Sequence, residues 1–153
     1  MKLLKLLTAT VFAVAMAFSA NAEDKVKVGF VYVGPTGDHG WTYRHDIGRQ
    51  QVEEAYGDKV ETMYAESVNY GPDATRVFRQ MALQGVDIIF GTSFGYMEAM
   101  REVAAEFPNI KFEHATGYKS NDTNFVNYGL RLYQARHVQG VIAGMMTKTN
   151  KIC

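Results

Sequence analysis

Two glycine-rich stretches, Gly34 to Trp41 (GPTGDHGW) and Gly91 to Tyr96 (GTSFGY), hold the residues best suited to binding a small molecule. Glycine lets backbone amides approach a ligand, and each stretch carries flat rings, Trp41 in one and Phe94 and Tyr96 in the other. A planar ligand could be sandwiched between them. Neither 34–43 nor 91–100 contains Lys or Arg, whereas a phosphate or carboxylate site ordinarily recruits one. The ligand is therefore expected not to be strongly anionic. Asp38, acceptor-only when ionised, suits a ligand that donates N–H or O–H groups, and Thr42, Thr92 and Ser93 can donate or accept. A nucleobase or nucleoside matches that inventory. The same aromatics could instead be packing or rim residues, and Asp38 could cap the helix that follows it. Tyr70, Tyr118 and Tyr133, near strand ends or helix starts, are secondary candidates.

Other chemistries are weaker. Gly91-Thr92-Ser93-Phe94-Gly95 satisfies G-x-S-x-G between a strand and a helix, and Asp122 and His137 follow in the order a Ser, acid, His hydrolase uses. Against a small serine hydrolase stand the absence of an HGGG-type oxyanion loop and the mid-helix position of His137. Gly34, Gly37 and Gly40 are spaced G-x-x-G-x-x-G, which is neither the dinucleotide fingerprint nor a P-loop. His39, His45, His114 and His137 have no ligating spacing, so neither metal nor cofactor is expected.

The elements that must position these loops alternate. Val26 to Val33, Lys59 to Ala65, Val86 to Phe90, Ile110 to Ala115 and Phe125 to Tyr128 read as strands. Between them lie a helix from Trp41 to Tyr56 with only fair apolar spacing, one with Ala74, Val77, Phe78 and Met81 on one face, and one striped by Met97, Met100, Val103, Ala104 and Phe107. A last helix, about Arg131 to Met146, sets Ala135, Val138, Ile142 and Met145 on one face. Such alternation predicts an α/β fold: an open, mostly parallel sheet with helices on both faces. Small ligands bind such sheets beyond the carboxyl ends of the strands, where the winding reverses, which for the order 2-1-3-4-5 lies between strands one and three. The two glycine-rich stretches follow those strands.

Composition sets the compartment. Residues 1–22 carry Lys2 and Lys5, an apolar run from Leu6 to Phe18, and Ala20-Asn21-Ala22, the form of an export signal cleaved before Glu23. The run is too short to span a bilayer. A soluble product in a periplasm-like space is expected. The 153 residues hold 16 basic and 16 acidic side chains, and losing Lys2 and Lys5 leaves a net charge of about −2, which disfavours nucleic acid as a partner. With 47% hydrophobic and 21% charged residues the chain is globular, and its single cysteine, Cys153, excludes an internal disulfide.

Taken in order, Lys27 to Val33 with Gly37-Asp38-His39-Gly40-Trp41, Tyr70-Gly71-Pro72-Asp73-Ala74, Gly91 to Tyr96, Phe107-Pro108, Phe112 to Tyr118, and Tyr133-Gln134-Ala135-Arg136 form a pattern. It resembles the basic membrane protein family of ABC-transporter substrate-binding proteins, whose characterised members include purine nucleoside and nucleobase receptors. The resemblance covers essentially the whole chain after residue 22. It implies one lobe of a type I periplasmic binding protein, no catalysis, and delivery of the ligand to a cognate ABC permease in the inner membrane. It also implies that residues 23–153 are the amino-terminal lobe of a longer, truncated protein, a natural single-lobe protein being the alternative. Thr42 stands where the family commonly has a polar amide residue, Leu132 and Tyr133 stand where many relatives are acidic, and the family's lipid-attached cysteine is absent. The expected ligand site is Asp38, Trp41, Thr42, Ser93, Phe94 and Tyr96. A purine base or nucleoside would be clamped by Trp41 and Phe94 and hydrogen-bonded by Asp38 and Ser93. Another small polar solute, such as a sugar, is the alternative ligand.

Overall fold

Five short apolar runs pair side by side in the computed structural model, which describes residues 25–152. They are β1 (Val26–Val31), β2 (Val60–Ala65), β3 (Ile88–Gly91), β4 (Lys111–Ala115) and β5 (Phe125–Tyr128), and every neighbouring pair is parallel. Their order is β2-β1-β3-β4-β5, so the winding reverses between β1 and β3. The helices are α1 (Trp41–Tyr56), α2 (Pro72–Leu83), α3 (Met97–Glu106) and α4 (Leu132–Met146). Among the described residues no helix is long and apolar enough to cross a membrane. The expected export segment, residues 1–22, lies outside the described residues, as does Cys153.

Strand side chains alternate between the two faces of the sheet. On one face Val31, Ile89, Phe112 and Phe125 pack with Phe78 of α2 and Met100 and Val103 of α3, all of them buried. This is the main core, and its helices are the two whose apolar spacing is clearest in the sequence. On the opposite face Val28, Phe30 and Tyr32 form a smaller cluster. There α1 attaches through polar groups. The Tyr32 hydroxyl donates to Asp46 Oδ1 at 3.3 Å, Arg49 Nε donates to the same oxygen at 2.7 Å, and Arg49 Nη1 donates to Thr62 Oγ1 of β2 at 3.0 Å. Burial pushes the Tyr32 phenol above its ordinary range, and the Asp46 charge adds to the rise. The weak periodicity of α1 thus has a cause: its only buried residues are Thr42 and Asp46.

The last helix, α4, forms over the expected span, but no residue of it is buried, and Val138 and Ile142 are 56% and 51% exposed. An apolar stripe is buried only if another element lies against it, and among the described residues none does. Correspondingly, α1 leaves part of its own sheet face uncovered. A groove of about 840 Å³ runs there, lined by Val28, Phe30, Ile88, Phe90, Tyr128 and Leu130.

Candidate functional site

The chain after β1 turns at Gly34 and Pro35 and enters α1 at Trp41. Asp38 organises that entry. Its Oδ1 accepts from the backbone N–H of Gly40 (2.7 Å) and Tyr43 (3.0 Å), and its Oδ2 accepts from Thr42 N–H (3.3 Å). These satisfy amides that a helix start leaves unpaired. The Gly40 and Tyr43 bonds hold the Asp38 carboxyl below the usual carboxylate range. A carboxylate has about four lone-pair sites, so three amides leave capacity for one more donor on this exposed group.

Trp41 bridges the two glycine-rich loops. Its indole Nε1 donates to the Thr92 carbonyl at 2.5 Å, across the point where the winding reverses. The ring lies 4.7 Å from that of His45, whose Nδ1 is 2.8 Å from the Trp41 carbonyl. On the far side Phe94 is 54% exposed, with its ring centre 6.2 Å from that of Tyr118. Ser93 is nearly buried, and its Oγ shares a 2.9 Å hydrogen bond with the hydroxyl of Tyr70, which follows β2. Gly95 fits beneath the Tyr70 ring, where a Cβ would come within 2.6 Å of ring carbons. Trp41, Tyr70, Ser93, Phe94 and Tyr118 all follow carboxyl ends of strands, on one rim of the sheet.

The structure places two of the expected ligand residues beneath the rim. Thr42 is fully buried, and its Oγ1 accepts from the Gly34 N–H at 3.2 Å. Tyr96 is fully buried between Tyr70 and Phe78, and its hydroxyl donates to the Val68 carbonyl at 2.7 Å. Both support the rim from below; within the short 3-10 turn Phe94–Tyr96 the Phe94 ring is exposed and the Tyr96 ring is buried. Two strand residues to which the sequence assigned no part in the site prove structural to the rim. His114 Nε2 lies 2.8 Å from the Ser93 carbonyl and its Nδ1 lies 2.9 Å from Asn127 Oδ1. His114 and Asn127 face each other in register across β4 and β5, which spacing along the chain does not reveal.

The hydrolase geometry is not assembled. Ser93 Oγ meets a tyrosine hydroxyl, His114 binds the Ser93 carbonyl oxygen, and His137 lies on the unburied α4. The 840 Å³ groove is not on the rim: it exposes the hydrophobic sheet face and offers few groups to orient a polar ligand.

Comparison with known proteins points the same way as the rim. Residues 25–153 match the family model described as ABC transporter substrate-binding protein PnrA-like. A purine-binding protein of Brucella abortus (strain 2308) is 53% identical over 140 residues, covering 92% of this chain. A protein of Haloferax volcanii named as a candidate ABC transporter glucose-binding protein is 44% identical over 129 residues, covering 84% of the chain. The chain spans 40% and 32% of the lengths of these two relatives. Among solved structures, solute-binding proteins of ABC transporter systems from Aeropyrum pernix K1 and Conexibacter woesei DSM 14684 share the fold, with TM-scores of 0.65 and 0.54 at 21% and 24% identity. They are covered over 32% and 29% of their lengths, and cover 78% and 59% of this chain. The family consists of binding components of transporters and not of enzymes, which sets the hydrolase reading aside. The chain belongs to the PnrA-like family of ABC-transporter substrate-binding proteins.

Proposed function

We infer that this chain binds a purine base or nucleoside for an ABC importer and hands it to a cognate permease, after export directed by residues 1–22. The observation that carries the ligand class is the 53% identity to a protein named as purine-binding. The rim chemistry supports it: aromatic rings, a carboxylate with spare acceptor capacity, and no Lys or Arg in either glycine-rich loop. In this reading a face of Trp41 stacks on the base, Phe94 closes the other side, Asp38 accepts a ring or exocyclic N–H, and Ser93 shares its hydroxyl between Tyr70 and the ligand. Thr42 and Tyr96 hold the loops and make no contact with it.

A sugar is the second reading, favoured by the 44% identity to a protein named for glucose binding. Trp41 would then lie against the apolar face of the sugar ring. Titrating adenine, guanosine, ribose and glucose while following emission of the single tryptophan separates the two. Adenine or guanosine is expected to quench saturably while ribose and glucose do not. A saturable response to glucose or ribose alone overturns the purine assignment, and silence toward all four overturns both.

A further inference from the structure

His114 is fully buried, and both of its ring nitrogens face acceptors. Nε2 lies 2.8 Å from the Ser93 backbone oxygen and Nδ1 lies 2.9 Å from Asn127 Oδ1. The orientation of Asn127 is set by its amide nitrogen, which donates to the Lys119 carbonyl. Turning that amide over would press its oxygen against a carbonyl oxygen. A neutral imidazole carries one N–H and a protonated one carries two. Only the doubly protonated ring satisfies Ser93, Asn127 and Lys119 together; a neutral ring must release one of them.

The charged and titratable groups on the surrounding elements are few. Glu98 of α3 is ion-paired with Lys119 of the loop after β4 and with Arg101. β5 contributes Asn127 and the Phe125 ring, 6.0 Å from the imidazole. Glu113, next to His114 in β4, points to the other sheet face, where it adds to the rise in the Tyr128 phenol.

The ring sits where two rim segments meet. Ser93 immediately precedes Phe94. Gly117 immediately precedes Tyr118, and it lies so close that a Cβ there would come 2.1 Å from His114 Nδ1 and 2.2 Å from Asn127 Oδ1. Before it, Thr116 adopts a left-handed backbone (φ 64°), sparsely populated for a β-branched residue and kept only where its surroundings hold it. Above this point the Phe94 and Tyr118 rings form an exposed pair, 54% and 72% accessible.

We propose that His114 is a positioning residue of the ligand site: with both ring nitrogens protonated, it aims Phe94 and Tyr118 as a unit, and losing one proton releases one of the two segments. Tyr118 is thereby a further wall of the site. The affinity consequence rests on the purine reading; the state of the ring does not. The latch is closed while both ring nitrogens carry protons and opens when rising pH removes one of them.

The test begins without ligand. Nitrogen NMR on histidine-labelled protein at pH 5.5 is expected to show both His114 ring nitrogens protonated, and Trp41, bonded to Thr92 beside Ser93, is expected to shift its emission as one proton leaves. In the Asn127→Leu variant a neutral ring satisfies its one remaining acceptor, so the emission shift should vanish while the fold persists. With adenine as probe, affinity of the parent protein should fall about fivefold or more from pH 5.5 to 8.5, and that of Asn127→Leu should stay flat. A single protonated ring nitrogen at pH 5.5, or an emission shift that survives in Asn127→Leu, overturns the proposal. Adenine that fails to bind at either pH overturns the purine reading alone, because the nitrogen and emission readouts involve no ligand.

Discussion

Asp38 serves a helix and a candidate ligand with one carboxylate. Because Gly40 and Tyr43 donate to it in the folded state, its folded pKa lies below the unfolded value of about 3.9. A depressed acid stabilises the fold above its unfolded pKa and stops doing so as pH falls through its folded one. Thermal melts of the parent and Asp38→Asn should therefore differ by a few degrees at pH 6 and converge as pH is taken from about 4 toward 2. A gap that stays constant across that window would show that the charge of Asp38 contributes nothing to the cap. The two aromatics of the second loop should separate cleanly. Tyr96→Phe leaves the buried Val68 carbonyl without its donor and should cost about 1 kcal/mol of stability in denaturant unfolding, with adenine affinity nearly unchanged. Phe94→Ala, at an exposed position, should change stability by less than about 0.5 kcal/mol and weaken adenine about tenfold. The reverse pattern would return Tyr96 to the ligand site and remove Phe94 from it.

At the level of whole elements, apolar spacing and burial part company. α2 and α4 both show a readable stripe, yet Phe78 of α2 is fully buried whereas Ile142 of α4 is half exposed. Phe78→Ala should cost about 3–5 kcal/mol, since it empties space between α2, α3 and the sheet. Ile142→Ala should cost less than about 0.5 kcal/mol in the same unfolding measurement. A large loss for Ile142→Ala would mean that α4 is packed in solution. α1 is the opposite case: its stripe is poor, yet Arg49 ties it to the sheet through Asp46, Glu53 and Thr62 and lies over the Tyr64 ring. Periodicity records where apolar residues lie on a helix, not whether anything lies opposite, and it is blind to a polar anchor.

For the molecule as a whole, the alternation of strands and helices and the membership of the PnrA-like family were both legible along the chain. So were the two loops of the rim, because a parallel sheet sends both to the same edge when their strands are neighbours. These are local facts: backbone propensity, turn chemistry and residue order need no partner from elsewhere. Which side chain of each loop faces outward was decided only by the tertiary structure. Thr42 and Tyr96 turn inward, Trp41 spends its N–H on Thr92, and Asp38 spends three acceptor sites on its own helix. The pairing of His114 with Ser93 and Asn127, 21 and 13 residues away, and the exposure of α4 belong to the same class. The physical reason is common to all of them: a polar side chain turns toward whichever partner the assembled strands bring within hydrogen-bond reach, and an apolar one is buried only where another surface arrives to cover it.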